Sequence, residues 1–109
     1  MNERAAELDR RYFAASNVTA SAYGAYYIHN LHFILYARLM QGRKAEALRA
    51  SEEMSKAMAP MMTAMPEMAQ MMQGLLAVPV LAQVRLAEWD SLLMLPQPND
   101  RWTDRKSVV

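Results

Sequence analysis

The sequence of 109 residues contains no cysteine, only three glycines and no excess of charge of either sign. Without cysteine, the chain can form no disulfide and no thiolate metal site, and it has no cysteine nucleophile. Its 12 lysines and arginines nearly balance its 11 aspartates and glutamates. These charges are interspersed, so the sequence predicts binding to neither nucleic acid nor an anionic membrane. The glycines lie too far apart to form a phosphate-binding loop.

Other signatures are also missing. The first residues, MNERAAELDRR, lack the apolar core of a signal peptide, and we therefore expect a cytoplasmic protein. The most apolar run, GLLAVPVLAQV, is about half as long as a membrane span and has Pro79 at its middle, which argues against a transmembrane helix. Neither a G-x-S-x-G nor an H-E-x-x-H motif occurs. We therefore expect no enzymatic activity and no cofactor.

Most of the sequence consists of residues that favour helices, namely Ala, Leu, Met, Glu, Lys and Arg, and its prolines are confined to residues 60–98. No run combines strand-like alternation with β-branched residues, so we predict an all-α fold. The length suits a single domain. A first helix is predicted over residues 2–15, with Ala5, Leu8 and Tyr12 on one face.

The middle of the sequence predicts two helices joined by a short turn. Residues 16–28 carry no clean period and are expected to form a connection. The second helix then starts at residue 29 or 30 and ends before Gly42, which accepts the left-handed conformation of a helix C-terminus. This helix is apolar on almost every face and should be packed on more than one side. A third helix is predicted over residues 44–59, bounded by Pro60.

The last third of the chain predicts shorter helices. Pro66 suits the first turn of a helix that runs to about residue 76. Pro79 either kinks that helix or begins another that continues to about residue 85. A final short helix is predicted over residues 89–95.

Two segments, LYARLMQGRKAEALRASEEM and AQVRLAEWDSLLML, share an order of features. Each has an apolar helix, then a small residue (Gly42 or Ala87), and then a small or apolar residue five positions later (Ala47 or Leu92). This pattern resembles the tetratricopeptide repeat family, whose unit is a pair of helices of roughly 34 residues. The resemblance covers about residues 28–95. Because Gly42 and Ala87 are 45 residues apart, the second unit must carry an insertion.

The resemblance implies a single domain, residues 1–109, of antiparallel helix hairpins in a short right-handed superhelical array. Residues 1–15 would be the end of a preceding repeat, residues 29–60 the first helix pair and residues 66–95 a second, irregular pair. Residues 96–109 would form a loose tail. On this interpretation the chain is a fragment or truncated relative of a larger bacterial tetratricopeptide-like protein.

The resemblance also implies a function, because stacked repeats of this family bind proteins or peptides on a concave surface built from their first helices. Aromatic and arginine side chains contribute most to such interfaces. We therefore expect partner contacts from Tyr26, Tyr27, His32, Tyr36 and Arg38. The terminal helices carry no obvious polar cap, so their apolar faces should pair between copies and produce a homodimer.

The histidines allow a second hypothesis. His29 and His32 are three residues apart and would be neighbours on one helical face. They could belong to a metal or small-ligand site of a larger parent protein, although zinc would need at least one further ligand. The favoured interpretation is that Asn30 caps the second helix and that both histidines form hydrogen bonds around this cap.

Methionine is unusually common, with 11 residues, and six of them are separated by three or four positions (54, 58, 61, 65, 68 and 72). This series is interpreted first as a core that fills gaps between irregularly placed helices, because methionine is flexible and polarisable. A surface that accepts an apolar partner is the second interpretation. A copper(I) site is the least favoured, because methionine-only copper sites are expected mainly outside the reducing cytosol.

Overall fold

The computed structural model describes residues 1–16 and 23–96, which form six α-helices. The helices are α1 (Asn2–Ser16), α2 (Tyr23–Met40), α3 (Lys44–Ala64), α4 (Pro66–Leu76), α5 (Val78–Arg85) and α6 (Trp89–Leu93). These two ranges contain no strand, which confirms the predicted all-α fold. Within them, no helix combines the length and the hydrophobicity needed to cross a membrane.

The hairpin of α2 and α3 lies at the centre of the fold. α1 packs against α2, α4 and α5 pack against α3, and α6 packs against α5. Two groups of buried residues connect these layers. The larger contains Ala6, Tyr27, Ile28, Leu31, Met54, Met58, Met61, Met62 and Met72. The smaller contains Leu35, Ala47, Ala50 and Ala82.

The turn between α2 and α3 has the hydrogen bonds of a Schellman motif. The Arg43 N–H donates to the Arg38 carbonyl oxygen at 2.9 Å, and the Gly42 N–H donates to the Leu39 carbonyl oxygen at 3.2 Å. Gly42 has φ 69°, in the left-handed region that glycine adopts without a steric penalty. The predicted role of Gly42 as the end of this helix is confirmed.

The turn between α5 and α6 repeats this geometry. The Glu88 N–H donates to the Gln83 carbonyl oxygen at 2.9 Å, and the Ala87 N–H donates to the Val84 carbonyl oxygen at 3.1 Å. Ala87 has φ 56°, so it occupies the place that glycine takes in the first turn. An ion pair between Lys44 and Glu88 joins the two turns. The paired positions noted in the sequence therefore share a backbone conformation, while the superhelical array stays a prediction.

The start of α2 differs from the prediction. The helix begins at Tyr23, whereas a connection was predicted up to residue 28. Tyr27 and Ile28 are buried in the larger core group, so tertiary packing holds this turn helical despite its mixed polar and aromatic sequence. Residues 17–22 of the expected connection lie outside the described ranges.

The end of α3 also differs from the prediction, because the helix continues through Pro60 to Ala64. Proline removes one backbone N–H donor from a helix, and this usually ends or kinks the helix. Here Met61 and Met62, directly after the proline, are almost completely buried. Their packing in the core compensates for the missing hydrogen bond, and the helix ends at the next break, before Pro66.

The remaining helices follow the prolines as predicted. Pro66 is in the first turn of α4, and Pro79 is in the first turn of α5 and so begins a new helix. α6 ends at Leu93, slightly earlier than predicted. The predicted loose tail lies outside the described residues except for Pro96.

Methionines supply much of the core. Five of them are buried, and Met65 and Met68 are partly buried against the same group. Pro60 lies inside α3 and Pro66 begins α4, so the helical spacing of this face is interrupted and irregular gaps are expected between the helices. A flexible thioether side chain fills such gaps better than a branched one. This packing agrees with the first interpretation of the methionine series, that of a core.

Candidate protein-binding surface

The outer face of α2 carries a row of large exposed side chains, which we call the α2 stripe: Tyr26, His29, Phe33, Tyr36 and Met40. Tyr26 is 68% exposed, Phe33 48%, Tyr36 59% and Met40 61%. The members are separated by three, four, three and four residues. Such a spacing keeps a seam of apolar side chains on one side of a helix over its whole length and is typical of helices that pack on another helix.

The α2 stripe continues onto α1. Leu8, Tyr12 and Tyr23 are about half exposed. The ring of Tyr23 lies 5.2 Å from that of Tyr12 and 6.1 Å from that of Tyr26, between centroids. Leu8, Tyr23 and Tyr26 also line one shallow depression. We refer to Leu8, Tyr12 and Tyr23 together with the α2 stripe as the aromatic surface.

Leu8 and Tyr12 are exposed because α1 buries a different face from the apolar face predicted from the sequence. Ala6 and Asp9 are the buried residues of α1, whereas Leu8 and Tyr12 were predicted to share an apolar face with Ala5. The helix is rotated by about one residue from that expectation. The rotation has a polar cause, because it turns the Asp9 carboxylate towards α2.

Asp9 holds α1 and α2 together. The residue is only 5% exposed, and both of its carboxylate oxygens accept hydrogen bonds. The Tyr23 hydroxyl donates to Oδ1 at 2.8 Å, and the Asn30 side-chain amide donates to Oδ2 at 3.1 Å. The hydrogen bond to this carboxylate and its negative charge raise the pKa of Tyr23. Asn30 therefore lies inside α2 and bridges to α1, so its predicted role as a helix cap is wrong.

A second polar cluster joins α1, α2 and α3. Arg10 donates from Nε to Glu53 Oε1 at 2.6 Å and from Nη2 to Oε2 at 3.1 Å, and the Tyr27 hydroxyl also donates to Glu53 Oε1. The hydrogen bonds from Arg10 lower the pKa of Glu53. Burial, followed by the hydrogen bond to Glu53, raises the pKa of Tyr27 to about 12. These groups hold the three helices together.

The structure divides the five predicted contact residues. Tyr26 and Tyr36 are exposed in the α2 stripe, and His32 is half-buried. Tyr27 is buried and bonded to Glu53. The Arg38 side chain is only 15% exposed and forms ion pairs with Glu3 and Glu46. Partner contacts from these two residues stay a prediction, and neither side chain belongs to the α2 stripe.

The contact residues predicted from the sequence did not include Phe33 and Met40 of the α2 stripe. Counting in steps of three and four from Tyr26 finds both of them. That count requires α2 to include Tyr26, and the predicted helix began at residue 29 or 30. The error in the helix start therefore concealed the period of the stripe.

The two histidines lie within α2, well after its first turn, so they cannot surround a helix cap as predicted. His29 is exposed, and its ring centroid is 4.8 Å from that of Phe33 in an edge-to-face arrangement. The ring of His32 is 6.3 Å from the same ring. Within residues 1–16 and 23–96, no group of three or more His, Asp or Glu side chains could hold a metal ion.

A separate group of exposed apolar side chains lies on α5 and α6 and just after them. It contains Val80, Leu81, Val84, Trp89, Leu93 and Met94. The aromatic surface differs from it in consisting mainly of rings supported by a regular helix. Arg38 is the only formally charged residue of α2, and it forms ion pairs within the chain.

Comparison with family models, curated proteins and solved structures produced no match to this chain.

Proposed function

We propose that this chain is a helical protein-binding module that binds an apolar helix or peptide across its aromatic surface and performs no catalysis of its own. The observation that carries the proposal is the α2 stripe, in which four large apolar side chains are about half exposed or more on one regular helix. Tyrosine and phenylalanine contribute large contact areas with few rotatable bonds, so little conformational entropy is lost when they are covered.

The size of the surface supports the same proposal. Aromatic side chains each present roughly 150–250 Å² when fully accessible; with Leu8 and Met40 taken as similar in size, seven side chains about half exposed offer roughly 500–900 Å². The largest apolar patch of a typical monomer is about 300–600 Å². An apolar surface at or above the upper end of that range is expected to be covered by a partner, because its exposure to water is unfavourable.

We further propose a relation to tetratricopeptide-like proteins. It is supported by the two Schellman turns at Gly42 and Ala87 and by the helix pairs that they join. The longer separation of the two turns is accommodated by the additional break between α4 and α5. The cytoplasmic location expected from the sequence stays a prediction.

Site-specific photo-crosslinking in the cells that produce the protein tests the proposed function. The photoreactive amino acid p-benzoylphenylalanine replaces Tyr36 in one variant and Leu93 in a control variant, since Leu93 is 83% exposed but lies outside the aromatic surface. We expect a discrete protein adduct at position 36, identified by mass spectrometry, and none at position 93. Absence of an adduct at position 36, or an equal adduct at both positions, would contradict the proposal.

A further inference from the structure

We infer that the partner on the aromatic surface is a second copy of this chain, whose α2 lies antiparallel to the first across a two-fold axis near Phe33. This inference rests on the proposed function and names the partner for it. Three properties of the surface carry the argument: its area, its lack of charge and the symmetry of its stripe.

The area matches what a stable dimer requires. A standard protein interface buries about 800 Å² on each partner, within the roughly 500–900 Å² that the aromatic surface offers. A second α2 matches the stripe along its whole length, because Tyr26 and Met40 are 14 residues apart, roughly 21 Å of helix, in both copies.

The charge distribution permits self-association. A two-fold interface is formed by the same surface patch on both chains. A patch with charge of one sign would therefore face the same charge on the second chain and be repelled. The exposed positions of α2 carry no Asp, Glu, Lys or Arg. Arg38 is neutralised by Glu3 and Glu46 within its own chain. Self-pairing along α2 therefore buries four rings and the Met40 thioether without bringing charges of that helix together.

The order of residues favours the antiparallel direction. Phe33 is at the centre of the stripe, so an antiparallel copy places Met40 against Tyr26 and His29 against Tyr36. Both pairs are favourable, one as a sulfur–aromatic contact and the other as a possible donor and acceptor pair. Antiparallel helices also oppose their dipoles.

The position of Arg85 supports the same direction. Its guanidinium Nη2 lies 3.8 Å from Met40 Sδ, at the C-terminal end of the stripe. A parallel arrangement would bring the two exposed Arg85 side chains together. The antiparallel arrangement places each of them near the tyrosine rings at the other end of the partner's stripe, where a cation can lie against a ring face.

Molar mass in solution is the first test. Light scattering across a wide range of concentrations should give twice the chain mass of 12.4 kDa for the wild type. Phe33→Glu should be monomeric with unchanged helical circular dichroism, because the side chain is half exposed and its replacement leaves the core intact. Leu93→Glu is the matched control and should stay dimeric. A wild-type monomer at every concentration, or a dimeric Phe33→Glu, would overturn the inference.

Thiol cross-linking tests the direction, and the chain provides a clean background because it contains no cysteine. A short bis-maleimide should join His29→Cys to Tyr36→Cys when the two variants are mixed, and it should join each variant to itself far less. Preferred coupling of His29→Cys to itself would indicate a parallel pair and overturn the antiparallel arrangement.

The photo-crosslinking at position 36 separates the two proposals. An adduct with a second copy of the chain supports both. An adduct with a different protein, together with a monomeric molar mass, overturns the inference and leaves the proposed function intact. No adduct at position 36 together with a monomeric mass overturns both.

Discussion

At the scale of single residues, Gly42 and Ala87 show how one backbone conformation can be reached by two residue types. Both have left-handed φ values, of 69° and 56°, and both end a helix with the same hydrogen bonds. An L-residue other than glycine pays roughly 1–2 kcal/mol for this conformation. Ala87 therefore carries local strain that its counterpart in the first turn does not.

Replacing Ala87 by glycine should stabilise the chain. Relief of the strain is partly offset by the greater freedom of glycine in the unfolded chain, roughly 0.4–1 kcal/mol, so we expect a net gain of about 0.5 kcal/mol. Urea unfolding with an unchanged slope measures it. Gly42→Ala is the opposite control and should destabilise by about 0.5 kcal/mol by the same two effects, since beyond its chain neighbours no atom lies within 4 Å of the added Cβ. A loss of stability in Ala87→Gly would contradict this account.

The polar cluster of Arg10, Tyr27 and Glu53 should make stability depend on pH at both ends of the scale. The pKa of Glu53 is lowered from 4.5, so its contribution is complete above pH 4.5 and is lost as the pH falls through the lowered pKa. The pKa of Tyr27 is raised from 10.0 to about 12, so its contribution is complete below pH 10 and is lost as the pH rises towards 12.

Variants assign the two limbs of this pH profile. Glu53→Gln should flatten the acidic limb of the free energy of unfolding, and Tyr27→Phe should flatten the alkaline limb. Glu52→Gln is the matched control, because Glu52 is exposed and bonds only to Lys56 among the described ion pairs. If Glu52→Gln changed the acidic limb as much as Glu53→Gln, the cluster would not be its origin.

At the scale of helices, local turn chemistry was predictable and tertiary packing was not. Gly42, Pro66 and Pro79 act through their own backbone preferences, and the helix ends that they determine agree with the sequence. The start of α2 and the continuation of α3 depend on burial of side chains such as Ile28 and Met61 against other helices. No local period reports these contacts. The same cause concealed Phe33 and Met40 as members of the aromatic surface.

Pro60 offers a test of packing against local preference. It lies inside α3, where proline is about 3 kcal/mol less favourable than alanine. Alanine also gives the unfolded chain more conformational freedom, which offsets roughly 1 kcal/mol of this gain in stability. We expect Pro60→Ala to raise the free energy of unfolding by about 1–2 kcal/mol. Pro66→Ala, at the first position of α4, is the control and should change it by less than about 0.5 kcal/mol. A decrease in Pro60→Ala would show that its ring packing outweighs the missing hydrogen bond.

At the scale of the whole molecule, the dimer should couple folding to concentration. If unfolding separates two copies, dilution favours the unfolded chain by mass action. The urea midpoint of the wild type should therefore rise with protein concentration, and the midpoint of Phe33→Glu should not. Leu93→Glu should behave like the wild type. Equal midpoints of the wild type at all concentrations would show that folding does not depend on the second copy.

The methionine core has a consequence for the chemistry of the whole molecule under oxidative stress. Met94 is exposed to peroxide in the folded chain, whereas Met54, Met58 and Met61 are protected by burial. Oxidation makes a thioether polar, so a sulfoxide formed in the core during a transient opening would prevent the helices from repacking. A chain oxidised during such an opening would stay unfolded until a reductase restored the thioether. Survival in an oxidant would thus measure how often this chain opens.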